Sequence, residues 1–346
     1  MTTELHDELL GVVRDLTQRE VAPRSADLDA GDRDAFAHCW TAACAIGLDR
    51  VLLAEEFGGA GLGPADLLAM IEEMAAGDAG LAVAVLLHNV ALAALPAEAV
   101  AAVADGERWS VTLPPLAPSL AFGISKGSAG VSGRIPFVPG ALGAGGFAIL
   151  DPAPGSAALF FHSTAPGLTI QPYPFQMGWR SSPAAGLVLD EVTATPVPHS
   201  VGSDSGATRL VRLGVSAVAR GIAGRAWELA FEYAHSRHQG GVFIIEHGAV
   251  RSLLAGMAVQ LQGVGPAAIS RAWLDGDDGG AIAAKVLASD AAVGVTTDAV
   301  QVFGGAGYMC ETGVEKLMRD AMYCRLYPEP NWLVSDQLVA SFERRH

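Results

Sequence analysis

From Thr208 onward, apolar residues recur at helical spacing over segments far longer than a small domain needs. "RLVRLGVSAVARGIAGRAWELAFEYAHSR" keeps one apolar face for many turns; "HGAVRSLLAGMAVQLQGVG" and "GAIAAKVLASDAAVGVTTDAVQVFGG" continue the pattern. Such helices bury their stripes against one another, so this part predicts a helical bundle. The N-terminal part is also helical in pattern. Leu9, Leu10, Val13 and Leu16 share a face, "RDAFAHCWTAACAIG" is closed by Gly47, and "ADLLAMIEEMAA" follows the glycine-rich break "EEFGGAGLGP". The texture changes at "GERWSVTLPPLAP". From there to about Pro198 short apolar runs ("GFAIL", "AALFFH", "AAGLVLDEV") alternate with Gly, Pro and Ser, the pattern of a small antiparallel β unit, barrel or sandwich. The expectation is a mainly α protein with a central β unit, divided at 1–107, 108–198 and 199–346.

Composition narrows the function classes. The 346 residues suffice for two or three packed units, and 51% hydrophobic against 17% charged excludes a disordered chain. A net charge of -15 argues against nucleic acid as a partner, because nucleic-acid surfaces are basic. Cys39, Cys44, Cys310 and Cys324 form no CxxC pair, so no metal is expected, and a reducing cytoplasm is the default. "MTTELHDELLGVVRDLTQ" carries acids and reads as an amphipathic helix, not a signal peptide. The most apolar run, "GLAVAVLLHNVALAAL", contains His88 and Asn89 and is shorter than the roughly 20 apolar residues of a membrane span. It reads as a core helix, and no membrane role is expected.

Three segments carry a resemblance. "QVFGGAGYMCETGVEKLMRDA" resembles the signature near the end of acyl-CoA dehydrogenases. "GIAGRAWELAFEYAHSRHQGGVFIIEH" resembles their first bundle helix and the loop after it, and "FQMGWRSSPAAGLVLDEV" the end of their β domain. The order of helices, β unit and bundle is also theirs. The resemblance implies FAD as cofactor and an acyl thioester, on CoA or a carrier protein, as substrate. It implies a homodimer or homotetramer, or a heteromer with a related subunit. The reaction it implies needs a carboxylate to remove the α proton, hydrogen bonds to the thioester carbonyl, and a flavin to take the β hydride.

Residue by residue, Arg237 in "SRHQGG" matches the arginine that contacts the FAD diphosphate of a neighbouring subunit; a fixed guanidinium fork suits that group. Gln301, Gly304 and Gly305 match the residues that approach the ADP half of the cofactor across the same interface. "FGGAG" recurs at Phe57–Gly61, and neither copy follows a strand as a dinucleotide loop would, so NAD is not expected. Arg212 in "LVRLGV" matches an arginine near the catalytic base and is assigned to the substrate end. Thr112 and Tyr327 are also carried over as cofactor contacts.

The departures matter as much. The family base follows a tyrosine after "RDA"; here the tyrosine is Tyr327 and the base position holds Pro328. The family's alternative base position, one residue before the arginine matched by Arg212, holds Val211. Glu329 lies one residue late, a shift of about 3.8 Å along the chain, yet it is clamped between Pro328 and Pro330, which rebuild the local backbone. It reads either as a relocated base or as a solvated turn residue. Phe137 and Pro139 stand where the resemblance puts a tryptophan and a threonine against the flavin. Contacts to a neighbour's FAD are kept, and contacts to the chain's own FAD are eroded. The expected function is FAD-dependent acyl-thioester dehydrogenation with Glu329 as base. The alternatives are a non-catalytic partner subunit completing another chain's FAD site, or a flavin monooxygenase on the same fold.

Overall fold

The computed structural model describes residues 3–95, 100, 103, 106–112, 125–126, 130–150, 157–198, 206–276 and 278–343. The chain opens with helices α1 (Thr3–Leu16), α2 (Ser25–Asp29), α3 (Arg33–Ala45), α4 (Pro64–Ala75) and α5 (Ala79–Ala94). Local chemistry sets their starts. The Asp32 carboxylate accepts from the N–H groups of Asp34 and Ala35 at the head of α3, and Asp78 accepts from the Leu81 N–H at 2.8 Å at the head of α5. α5 is the apolar run noted above. It is buried on every side, which is why it shows no stripe.

Among the described residues eight strands follow: β1 (Trp109–Thr112), β2 (Ser125–Lys126), β3 (Val131–Val138), β4 (Gly146–Ile149), β5 (Ala157–His162), β6 (Leu168–Pro172), β7 (Ala185–Val192) and β8 (Thr195–Pro198). They form two four-stranded sheets, ordered β1-β4-β5-β8 and β2-β3-β7-β6. Pairing is antiparallel except for β1 beside β4, which is parallel. Phe147 and Phe161 from one sheet and Ile135, Leu187 and Leu189 from the other share a core of their own.

The bundle is α6 (Gly206–Ser236), α7 (Gly248–Gly263), α8 (Pro266–Leu274), α9 (Asp278–Phe303), α10 (Val314–Cys324) and α11 (Ser335–Glu343). α6 packs on α4 and α5 as well as on α9. The approach to α4 is close: a Cβ on Gly221 would stand 2.2 Å from the Glu72 carbonyl oxygen. One apolar core therefore runs from the N-terminal helices into the bundle. The stretches Gly248–Leu274 and Asp278–Tyr308 are long and apolar enough to cross a membrane by length and composition. In this fold they are bundle helices, with Val259, Leu274 and Leu287 left on the outside.

The "EKLMRDA" motif is the bolt between the three parts. Lys316 Nζ sits 3.0 Å from Asp78 Oδ2 of α5 and 2.7 Å from Asp320 Oδ2. The Asp320 carboxylate also accepts from the Trp179 N–H of the β unit at 2.6 Å, and Ser181 Oγ donates to Asp78. Arg319 reaches Asp29 at 2.6 Å and donates to the Met177 carbonyl at 2.8 Å. Lys316, Asp78 and Asp320 are all buried, so their charges are balanced only by one another and by these donors.

Candidate active site

The segment after α10 turns back on itself. The Asn331 N–H donates to the Arg325 carbonyl at 2.9 Å, closing a loop that carries Tyr327, Pro328, Glu329 and Pro330. Glu329 is not a solvated turn residue. Only 7% of its surface is exposed, and its Oε1 accepts from Arg212 Nε at 2.5 Å, across 117 positions of sequence. Arg212, on α6 and equally buried, donates its Nη2 to Gln337 of α11 at 2.7 Å. The second oxygen of Glu329 takes no hydrogen bond among the described residues. One oxygen is thus fixed by Arg212, and the other has no donor among the described residues.

Tyr327 is buried against the Trp179 ring, 5.9 Å away edge-on, and among the described residues neither its hydroxyl nor Trp179 Nε1 has a hydrogen-bond partner. Burial, with a smaller contribution from the Glu329 charge, pushes the Tyr327 phenol up, so it remains a donor at any working pH. Tyr323 of α10 lies 4.8 Å from Trp179 and 5.6 Å from Phe137, and Phe137 stacks on Tyr173 at 6.0 Å. The two residues at the positions the resemblance assigns to flavin contacts are engaged within the chain. Phe137 is covered by Tyr323 and Tyr173, and the Pro139 carbonyl accepts from Ser110 Oγ at 2.7 Å. Thr112 is buried at the end of β1, its carbonyl taken by the Leu150 N–H.

The other sequence-selected residues stand apart from Glu329, at one end of the bundle. The rings of Tyr233 and Phe303 stack at 4.1 Å, which brings the end of α6 beside the end of α9. Arg237 follows the first and Gly304 the second. Arg237, Gln301, Gly304 and Gly305 are all exposed, and Arg237 meets no carboxylate among the described residues. A Cβ on either glycine would meet nothing within 4 Å, and Gly304 adopts φ +59, a conformation that glycine takes without strain. Arg237 and the two glycines are thus exposed, with no carboxylate partner for the arginine among the described residues.

Sequence reasoning missed Lys285, Gln337, Asn331 and Trp179. Each looked like part of a helix or a loop, and the only signal was a lone lysine in the otherwise apolar "GAIAAKVLAS".

With this geometry in place, the comparisons with known proteins are decisive. Residues 3–116 match the acyl-CoA dehydrogenase N-terminal domain and residues 205–328 the acyl-CoA dehydrogenase C-terminal domain. A probable acyl-CoA dehydrogenase, FadE25, of Mycobacterium tuberculosis is 30% identical over 95% of this chain and 92% of its own length. The chain belongs to the acyl-CoA dehydrogenase family. It is an acyl-CoA dehydrogenase-like flavoprotein oxidoreductase in that sense. Cyclohex-1-ene-1-carbonyl-CoA dehydrogenase of Geobacter metallireducens is also 30% identical, with 95% of both chains covered. Among solved structures, butyryl-CoA dehydrogenase of Megasphaera elsdenii superposes with a TM-score of 0.85 at 22% identity, covering 99% of each chain, which shows the shared fold. The C-terminal family match ends at Pro328, one residue before Glu329. The match therefore spans the "EKLMRDA" motif that joins the three parts and stops short of Glu329.

Proposed function

We propose that the protein is an FAD-dependent dehydrogenase of acyl thioesters in which Glu329 is the proton acceptor. The observation that carries this is the meeting of Glu329 with Arg212. The two base positions known in the family lie at Val211 and Pro328, on separate elements, and neither holds a carboxylate. The loop brings the Glu329 carboxylate to Arg212, the sequence neighbour of Val211, and this contact supports a base displaced by one position. Arg212 holds one oxygen and fixes its direction. The free oxygen takes the α proton of the thioester, and the buried surroundings keep water away. FAD, when bound, would supply the hydride acceptor for the β carbon. Arg237, with Gln301, Gly304 and Gly305, would hold the diphosphate and ADP half of the cofactor of a second copy, so the working unit is at least a dimer.

The decisive experiment is anaerobic titration of the purified flavoprotein with butyryl-CoA, beside Glu329→Gln. Bleaching of the flavin in the wild type and none in the variant, with flavin content equal, supports the reading. Equal bleaching in both removes Glu329 from the chemistry.

One observation favours a second reading. Phe137, at a position the resemblance assigns to the flavin, packs on Tyr323 and Tyr173, while Arg237, Gly304 and Gly305 are exposed. A chain of this kind would lend its exposed donors to the FAD of a related partner. Purification as a colourless protein that stays colourless with added FAD would decide for it.

A further inference from the structure

We infer that Lys285 is the positioning residue for Glu329: a buried ammonium on α9 that holds the loop by its carbonyls and so fixes where the carboxylate points. This inference deepens the dehydrogenase reading and rests on it for its catalytic consequence. Lys285 is 1% exposed, in the middle of α9. Its Nζ donates to the Glu329 carbonyl at 2.6 Å, to the Arg325 carbonyl at 3.3 Å and to Asn331 Oδ1 at 2.6 Å. Three donors meet three acceptors, and all three acceptors belong to residues 325–331.

The rest of the same helix face completes the grip. Asn331 Nδ2 donates to Ser289 Oγ at 2.9 Å and to Asp290 Oδ1 at 3.1 Å, and Arg325 Nε lies 2.7 Å from the same Asp290 oxygen, outside hydrogen-bond geometry. Lys285, Ser289 and Asp290 lie four and five residues apart, on one face of the helix. The loop is therefore held at its start, its middle and its end from one side, while Arg212 of α6 holds the Glu329 side chain from another. A lysine buried this deeply at a cost in desolvation needs a purpose that a leucine could not serve. Here the purpose is a loop with two prolines and a buried carboxylate, whose carbonyls have no helix or sheet to pair with.

The charged and titratable groups facing Nζ are Glu329 of the loop, Cys324 of α10, Arg212 of α6 and Asp290 of α9. Burial, the largest influence, draws the Lys285 ammonium down to about 8, with Glu329 pulling the other way. A neutral amine has two N–H groups for the three acceptors, so one bond is lost as the proton leaves.

The test is amide hydrogen exchange over residues 325–333 in the purified flavin-loaded protein, for wild type, Lys285→Met and Asn331→Ala, with the rate of flavin reduction by butyryl-CoA followed from pH 6.5 to 9.5. Asn331→Ala serves if the first variant does not fold. The expected result is exchange faster by about tenfold in the loop, the scale of one lost hydrogen bond, with α6 and α10 unchanged. The reduction rate falls with little change in the half-saturating butyryl-CoA concentration, and the wild-type rate declines through pH 8. Loop exchange unchanged in both variants overturns the inference, as does loosened exchange with a full reduction rate. Loosened exchange together with normal reduction by Glu329→Gln leaves the clamp standing as loop architecture but overturns both the base assignment and the catalytic purpose given to Lys285.

Discussion

The Trp179 N–H donates to the Asp320 carboxylate at 2.6 Å, across 141 positions of sequence. That bond joins the β unit to the helix whose motif marks the family, and Lys316 extends it to Asp78 at the head of α5. Lys316→Met would leave two buried carboxylates with no cation between them. A loss of roughly 3–5 kcal/mol is expected, as for other buried pairs broken on one side. Arg271→Ala, which breaks an ion pair whose arginine is 81% exposed, serves as the control and changes stability by no more than about 0.5 kcal/mol. Thermal unfolding of both variants against wild type checks this. Equal melting temperatures would mean that the motif does not bolt the three parts together.

Much of this architecture was legible in the sequence because it rests on periodicity. The bundle helices announce themselves by apolar spacing, α5 by an unbroken apolar run, and the β unit by turn residues between short apolar runs. The parallel pairing of β1 with β4 was not legible, since a four-residue strand carries no mark of its neighbour's direction. The site divides the same way. Arg237, Gln301, Gly304 and Gly305 lie in segments that keep the family pattern, and the fold gathers them at one exposed end. The surroundings of Glu329 depend on Arg212, Lys285 and Gln337, which come from three different helices. Their meeting is a property of packing at long range, with no local signal. The two prolines indicated a rebuilt backbone, and only the fold shows that the rebuilt loop turns inward.

The diphosphate donors can be tested without touching the fold. Nothing lies within 4 Å of a Cβ on Gly305, so Gly305→Ala is expected to leave stability within about 0.5 kcal/mol of wild type. On the proposed role, Arg237→Ala would remove a charge-assisted hydrogen bond to the FAD diphosphate, which corresponds to flavin affinity weaker by about 10- to 100-fold. Thermal unfolding checks the first, and fluorescence titration with FAD the second. Unchanged affinity in Arg237→Ala would show that the exposed end of the bundle is not a cofactor surface.

The aromatic wall makes a separate claim. If Tyr323 covers the inner position by packing on Phe137 and Trp179, then Tyr323→Leu opens it without charging the core. The expected outcome is tighter flavin binding, at a stability cost of about 1–2 kcal/mol for the smaller side chain. Weaker flavin binding in this variant would mean that Tyr323 is itself part of the cofactor site and that the wall is its lining.

Lys285 gives activity and stability opposite responses to alkali. Its folded pKa, about 8, lies below the ordinary lysine value of 10.5. Between these values the unfolded chain binds the proton and the folded chain does not, so stability rises with pH across that window. Below about pH 8 both states are protonated and the desolvation penalty of the buried ammonium is fully present. Over the same rise in pH the clamp loses one of its three bonds, and flavin reduction slows. The stability of wild type relative to Lys285→Met should therefore climb from pH 8 to 10 while the wild-type reduction rate falls. Measuring both on the same preparations separates this from general alkaline damage, which lowers the two together. A stability difference that stays flat across the window would mean that Lys285 keeps its proton and that the alkaline limb belongs to another group.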